Sequence, residues 1–372
     1  MKKIISSIVL CIFLLSILFT IGCAKETPNY PIAQREDKVV FSFRGKTITE
    51  SEFGYYLSLY KGRFAQLYTD FSDTDEFYSR EIDGIKMEDY IFDTVVKNVK
   101  RSLISEALYS ELPGNEVDLI VEDIDYYIES LVYERYGNDE EQFKDALADI
   151  GITPEQLKEI FVRDEMTYSL LVYLADEKST IGMNDSAIQN YVNENYSHIR
   201  HIYVNNKYTY LTDENGDPVF GSDGKQMTTP LTGVALESKN AVIDAIYESL
   251  ASGGDFDEIY EAFSEDKYYE NGYYLTRDTD FIDEVVSAAF VLEVGEWVMG
   301  TSSVGTHFVM RLPMDQSPWE DEKNSDFFSG VKDTVLNELF GEYLDSFASE
   351  VVTDSETLEK FDVKSAKTGH NF

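Results

Sequence analysis

Two short segments decide the fold of this chain: Arg200-His201-Ile202-Tyr203-Val204 and Gly305-Thr306-His307-Phe308-Val309. Each is rich in β-branched and aromatic residues, which predicts a strand, and each carries one histidine. Between the two segments, apolar residues at helical spacing predict three helices, over 238–251, 255–263 and 281–290. Asn-Gly and Asp-Gly turn signals add a β-hairpin over about 208–229. We therefore expect a mixed α/β domain over 197–313.

The chain before this domain has the pattern of a helical domain, predicted over 38–196. After one strand, Thr49 and Glu52 form a capping box that begins a helix. Thr153 and Gln156 form a second box, with Pro154 at the first helical position. Further helices are expected over 90–112, 117–136 and 141–150.

The segment after the α/β domain, 314–372, is predicted to carry one long amphipathic helix over 326–352. Ser325 stands at the position of its N-cap.

The N-terminus has the pattern of an export signal over 1–22. Two lysines precede an apolar run that would reach only about 24 Å as a helix, which is short for a bilayer core of about 30 Å. The run ends in Thr20-Ile21-Gly22-Cys23, which resembles a bacterial lipobox. We expect cleavage before Cys23, lipidation of its thiol, anchoring to the membrane, and a tether over 23–37. The alternative is an ordinary secretory signal with an incidental cysteine.

The composition excludes several kinds of site. The formal net charge is −39, from 70 acidic and 31 basic residues, so the chain is not expected to bind nucleic acid. Such a surface would attract basic, unfolded polypeptides, although the charge could also serve solubility alone. Cys11 would leave with the signal peptide and the thiol of Cys23 would carry the lipid, so no mature thiol is left for a disulfide, a nucleophile or a metal site. Asp213, Asn215 and Asp217 have the spacing of a calcium loop, but the glycine and glutamate it needs are missing, so a turn is expected.

Several segments, in order, resemble the PrsA/SurA-like foldase lipoproteins with a parvulin-type peptidyl-prolyl cis-trans isomerase domain. FRGKTITESEFGYYL (43–57) and FKDALADIGITPEQLKEIFVRDEM (143–166) resemble their helical domain. The two histidine segments, Ser264-Glu265-Asp266 and Ala288-Ala289-Phe290 resemble the isomerase domain. The resemblance implies an α+β fold: a SurA N-terminal-like helical chaperone domain completed by a C-terminal helix, with an inserted parvulin-like domain whose antiparallel sheet is flanked by helices.

The resemblance also assigns a site without metal or cofactor. It implies His201, Asp266 and His307 as catalytic residues, with the two histidines facing each other inside the sheet. It implies Phe281, Val285 and Phe290 as the pocket for the substrate proline. The chain departs from the family pattern at Arg200, at Val285 and at Tyr273-Tyr274, which stand where the family has a small residue, an aromatic residue and a turn. In the alternative interpretation, the histidines are hydrogen-bonded core residues. His198, three residues before His201, is expected on the opposite face and at the surface.

The function that follows is that of an extracytoplasmic foldase, anchored through Cys23 in a bacterium that is expected to be Gram-positive. It would isomerise Xaa-Pro bonds in unfolded or newly exported polypeptides, and a homodimer is possible. The alternative is a holdase chaperone, with clients bound at aromatic residues of the helical domain and a weak or inactive isomerase domain. A solute-binding lipoprotein would need two α/β lobes of similar size, and the helix-rich first half argues against that.

Overall fold

A computed structural model describes residues 37–68, 70–175 and 181–369 of the chain. The predicted signal peptide, Cys23 and nearly all of the tether lie outside the described residues. The chain divides into two compact units. The first contains the residues up to Met183 and those from Leu336 onward, and the second contains Asn184–Val335.

The first unit is built mainly from helices around one apolar core. Its elements up to Met183 are β1 (Val39–Phe43), β2 (Lys46–Thr49), α1 (Glu50–Leu67), α2 (Asp75–Ser79), β3 (Glu81–Ile82), β4 (Ile85–Lys86), α3 (Met87–Glu111), α4 (Val117–Tyr136), α5 (Glu140–Ile150) and α6 (Pro154–Leu174).

The predicted starts of α1 and α6 are confirmed. Thr49 and Glu52 exchange the two hydrogen bonds of a capping box, and Thr153 and Gln156 do the same before Pro154. Each box satisfies backbone N–H groups that have no partner inside their helix.

A buried ion cluster connects three helices of the first unit. The guanidinium of Arg163 donates to Glu52 and to Glu106, each at 2.8 Å, and the Arg163 side chain is 3% exposed. Because removal of one partner would leave a buried charge unpaired, the cluster fixes how α1, α3 and α6 pack.

The second unit combines helices with an antiparallel sheet. Its elements are α7 (Asp185–Asn195), β5 (Ser197–Val204), β6 (Tyr208–Tyr210), β7 (Thr228–Pro230), α8 (Gly233–Ala251), α9 (Phe256–Phe263), β8 (Tyr273–Leu275), α10 (Asp283–Val291), β9 (Trp297–Thr301), β10 (Thr306–Arg311) and α11 (Ser325–Phe328). Four strands form the sheet in the order β8-β5-β10-β9, all antiparallel. The predicted hairpin is present as β6 and β7, and the mixed α and β class is confirmed.

Alternation along the central strands gives the sheet two different faces. Ile202 and Phe308 pack with α8 and α9 on one face. Ile199 and Val309 pack with α10 on the other. The odd-numbered residues of β5 and β10, His201 and His307 among them, belong to this second face.

The chain re-enters the first unit within α12 (Val331–Asp345), and continues to β11 (Val352–Thr353) and α13 (Ser355–Leu358). β11 pairs with β1, so that the two ends of the described chain share one small sheet. The expected single helix over 326–352 is wrong. It is divided at Gly330, whose φ of +77° is incompatible with a helix, and Ser325 lies within α11 rather than at its cap.

The compact units also divide the chain differently from the predicted domains. The second unit includes α7 and the segment 314–335, outside the expected 197–313. Side-chain contacts explain the difference: the ring of Tyr196 lies 4.9 Å from that of Phe328, and the Gln189 amide donates to the Asp315 carbonyl at 3.1 Å. No helix within the described ranges has both the length and the apolar character needed to cross a membrane.

Candidate active site

A pair of buried histidines lies on the α10 side of the sheet. In the register of β5 and β10, His201 faces Val309 and His307 faces Tyr203. The Nε2 atom of His201 and the Nδ1 atom of His307 are nevertheless 2.9 Å apart, and both residues are 1% exposed. The structure thus brings together the two histidines that the sequence analysis singled out.

Asp266 closes the network on the His201 side. Its Oδ2 atom lies 3.2 Å from Nδ1 of His201 and accepts the phenol of Tyr273 at 2.6 Å. The loop that carries Asp266 is fixed by Ser264, whose hydroxyl accepts from the Tyr203 amide and donates to the Asp266 carbonyl. The carboxylate is therefore held in place by main-chain bonds as well as by its own partners.

Ser302 closes the network on the His307 side. Its hydroxyl lies 2.7 Å from Nε2 of His307 and accepts the amide of Val304. A carboxylate can only accept, so His201 donates through Nδ1, and in the neutral ring its Nε2 accepts. His307 must then donate through Nδ1 and accept the Ser302 proton at Nε2. One set of tautomers thus satisfies every bond in the network with both rings neutral.

The electrostatics favour a neutral His307 beside an ionised Asp266. Burial, reinforced by the neighbouring His201, lowers the pKa of His307 to about 4. Burial alone would raise the pKa of Asp266, but hydrogen bonds from His201 and Tyr273 bring it below its ordinary value. Burial and the Asp266 carboxylate together raise the pKa of Tyr273, so it remains a phenol donor. At neutral pH Asp266 is therefore a carboxylate and His307 is a neutral imidazole.

Aromatic rings surround the histidine pair. The Tyr203 ring stacks on His307 with ring centres 5.4 Å apart, and the Phe281 ring meets His201 edge-on at 5.8 Å. Tyr273 lies 5.1 Å from Phe281, so its ring belongs to the same wall. This wall combines apolar surface with a few fixed polar atoms, as small binding sites commonly do.

The three predicted pocket residues occupy different positions. Phe281 contacts His201. Val285 is fully buried in the core between α10 and the sheet, and Phe290 is half-buried beneath the guanidinium of Arg277, at 4.3 Å. Within the described residues, no group of three His, Cys, Asp or Glu side chains is arranged to hold a metal ion.

Sequence reasoning missed two members of the network. Ser302 lies in the turn between β9 and β10, and its only sequence signal is its position five residues before His307. Tyr273 stands where the family has a turn, and its phenol donates to the Asp266 carboxylate.

The prediction that His198 lies at the surface is wrong. It faces away from His201 as expected, but it is 5% exposed. Its Nδ1 atom lies 2.8 Å from the Pro313 carbonyl, its Nε2 atom lies 2.7 Å from the Asn271 carbonyl, and its ring stacks on Tyr274. The segment after β10 and the loop before β8 therefore cover it, and a strand pattern cannot reveal that cover.

Among solved structures, this chain resembles PrsA proteins of several bacteria. PrsA from Bacillus subtilis is 15% identical, with 78% of this chain and 94% of that chain covered and a TM-score of 0.24. The foldase protein PrsA from Streptococcus pneumoniae is 17% identical, with 87% and 97% covered and a TM-score of 0.22. The peptidylprolyl isomerase PrsA from Bacillus cereus is 15% identical, with 74% and 85% covered and a TM-score of 0.23.

No protein-family profile matches this chain, and no curated protein matches it either. At TM-scores this low, the likeness to PrsA structures decides neither the fold nor the activity by itself.

Proposed function

We propose that the second unit is a parvulin-type peptidyl-prolyl cis-trans isomerase, carried by an extracytoplasmic foldase for newly exported polypeptides. The observation that supports this best is the hydrogen-bonded His201–His307 pair, polarised by Asp266 and bordered by aromatic rings on one face of an antiparallel sheet.

The arrangement suits a reaction in which no covalent bond to carbon is made or broken. The barrier to rotation about a peptide bond, about 18–20 kcal/mol, comes from amide resonance. A site that holds the amide twisted in a dry, apolar slot weakens that resonance. Phe281 and Tyr203 supply apolar walls on either side of the pair. Asp266 fixes the tautomers, so the polar groups need no reorganisation when the amide rotates.

The proposed location of the protein outside the cytoplasm rests on its N-terminal sequence. The lipobox-like Thr20-Ile21-Gly22-Cys23 supports export and anchoring through a lipid on Cys23. Its partners would then be unfolded polypeptides that emerge at the outer face of the membrane.

A second candidate function, that of a holdase, is favoured by exposed aromatic residues in the first unit. Tyr126 and Tyr133 on α4 and Tyr168 on α6 are 73%, 65% and 50% exposed. Tyr168 also lines a cleft of about 340 Å³, together with Tyr109, Leu112, Val172 and Tyr173 among others. Exposed apolar surface of this kind is typical of binding sites for other proteins.

NMR exchange on Ala-Xaa-Pro-Phe peptides tests the isomerase directly. We expect residues 24–372, which omit the lipid-bearing Cys23, to accelerate exchange, and His307→Ala to abolish most of that acceleration. His307→Asn is the matched variant, because its amide can replace the Nδ1–H donor to His201 but not the acceptor for Ser302. If the parent chain accelerates exchange for no Xaa residue in a panel, the isomerase proposal is rejected and the holdase function remains as the candidate.

A further inference from the structure

β9 is an open edge of the four-stranded sheet. In the order β8-β5-β10-β9 it pairs only with β10, within the described part of the chain. Its five residues, Trp-Val-Met-Gly-Thr, carry no charge and no proline. Val298 and Met299 are 40% and 42% exposed.

The register shows which backbone groups of β9 point outward. Just beyond its two ends, Arg311 donates to the Glu296 carbonyl at 3.0 Å and Ser302 donates to the Gly305 carbonyl at 2.9 Å. Hydrogen-bonded positions alternate along an antiparallel pair, so Val298 and Gly300 bond to β10. The backbone N–H and C=O groups of the other three residues, Trp297, Met299 and Thr301, therefore point away from β10. They form a free ladder, that is, a row of backbone donors and acceptors with which another strand could pair.

Natural sheets usually protect such an edge with a charged residue, a proline or a bulge. Within its five residues β9 has none of these, and its register with β10 is continuous from Trp297 to Thr301. The bulge nearest to it lies just before the strand, where Gly295 and Glu296 both bond to Arg311. An unprotected, apolar edge is the structure that an extended polypeptide recognises when it adds a strand.

We propose that β9 binds an extended, basic segment of a client polypeptide by strand addition. The inference rests on the proposed function and deepens it, because it names the binding mode and the charge of the client. The free ladder requires an extended occupant, since only extended backbone can match alternating donors and acceptors.

Charge selects the occupant. Exposed Glu293 and Glu296 lie within the four residues before β9, where the Glu296 carboxylate accepts the Glu293 amide, and the whole chain carries a formal charge of −39. A second copy would bring the same carboxylates and the same net charge to the edge, whereas a lysine- or arginine-rich segment is attracted to both.

The position of the edge connects it to the histidine pair. Gly300 is the direct partner of His307, so both belong to the same face of the sheet. A Cβ atom at Gly300 would meet no atom within 4 Å. Because neighbouring strands lie about 4.8 Å apart, a side chain of the added strand opposite Gly300 meets open space in the direction of the His307 ring.

Substitutions at Met299 test the proposal, because its N–H points away from β10. Met299→Pro removes that outward donor, and proline is tolerated at such an edge position. Met299→Ala is the control, since it shortens the side chain but keeps the donor. The probe is a fluorescent ten-residue peptide of alternating valine and lysine with one central proline. We expect Met299→Pro to weaken its binding about tenfold, and Met299→Ala to change it less than about threefold.

A second measurement leaves the protein unaltered. The same peptide with alternate backbone nitrogens methylated should bind the parent chain about tenfold more weakly, and a glutamate-for-lysine peptide should also bind more weakly. Equal binding by Met299→Pro and Met299→Ala, or equal binding of the methylated and unmethylated peptides, would overturn the proposal. So would a dimer of the parent chain in sedimentation that Met299→Pro dissociates, because the edge would then hold a second copy.

The four-residue isomerase assay separates this inference from the proposed function. If tetrapeptide exchange is not accelerated but Met299→Pro still weakens peptide binding, the result supports strand addition and rejects the isomerase. If exchange is accelerated but Met299→Pro binds the peptide as tightly as the parent chain does, the result supports the isomerase and rejects strand addition.

Discussion

The Nε2 atom of His201 lies 2.9 Å from the Nδ1 atom of His307, although the two residues are diagonal rather than direct neighbours in the ladder of β5 and β10. Diagonal positions are far apart for short side chains but within reach of imidazoles. The diagonal leaves Tyr203 directly opposite His307, where its ring stacks on the imidazole. The pair and its aromatic neighbour thus follow from one strand register.

Asp266→Asn should weaken the proposed isomerase. The substitution removes the charge that fixes both tautomers, and hydrogen bonds to charged groups contribute about 1.5–3 kcal/mol. We expect the rate of peptide isomerisation to fall about 10–100-fold. Glu265→Gln, one residue away and paired with Lys239 at the surface, is the matched control. Equal rates for the two variants would show that Asp266 does not polarise the site.

The stability of the chain should depend on pH through His307. Its pKa falls from 6.5 to about 4 on folding, so between these values the unfolded chain binds a proton that the folded chain excludes. The free energy of unfolding should therefore decrease as the pH falls from 6.5 towards 4, by up to about 3 kcal/mol. Urea unfolding at a series of pH values measures this slope, and His307→Asn should flatten it. An unchanged slope in that variant would assign the effect to other groups. Asp266, whose pKa is also lowered, would act in a separate window below its ordinary range.

Phe281→Ala and Val285→Ala should act on different properties. Phe281 contacts His201 from a half-buried position, so its loss should reduce isomerisation about tenfold with a smaller effect on stability. Val285 is fully buried, and the loss of two carbon atoms should cost about 2 kcal/mol of stability while the isomerisation rate of the folded protein changes little. Rates and urea unfolding of both variants check this. If Val285→Ala lowered the isomerisation rate more than Phe281→Ala does, Val285 would belong to the substrate pocket after all.

Gly62→Ala should loosen the C-terminal segment of the first unit. A Cβ atom there would overlap the backbone of Gly369, next to the point where buried Lys61 donates to the carbonyls of Lys364 and Ala366. Such overpacking costs about 1–3 kcal/mol. Gly54→Ala, in the same helix, meets only the Phe361 ring at 3.6 Å and should stabilise the chain by up to about 1 kcal/mol. The Gly369 amide donates to the Ser58 carbonyl, so its hydrogen-exchange rate reports how far Gly62→Ala loosens the segment. Equal stability of the two variants would show that the segment can move aside at no cost.

Local sequence patterns predicted well what depends on neighbouring residues. The capping boxes at Thr49 and Thr153 involve residues three positions apart, and both are present. The two histidine strands and the β6–β7 hairpin likewise follow from residue type and turn chemistry. The expected helix over 326–352 failed because its apolar spacing continues through Gly330, and spacing alone does not reveal the positive φ at that glycine.

The sequence by itself determined the acidic charge, the helical first half, the strands that carry His201 and His307, and the candidate carboxylate at Asp266. Only the tertiary structure decided that Ser302 and Tyr273 complete the network, that Val285 is core, and that His198 is covered. The physical reason is the distance along the chain over which each effect acts. Caps and turns are settled within a few residues, whereas the histidine pair joins positions 106 residues apart. Burial and hydrogen-bond partners over such distances are fixed only when the segments that meet have folded against each other.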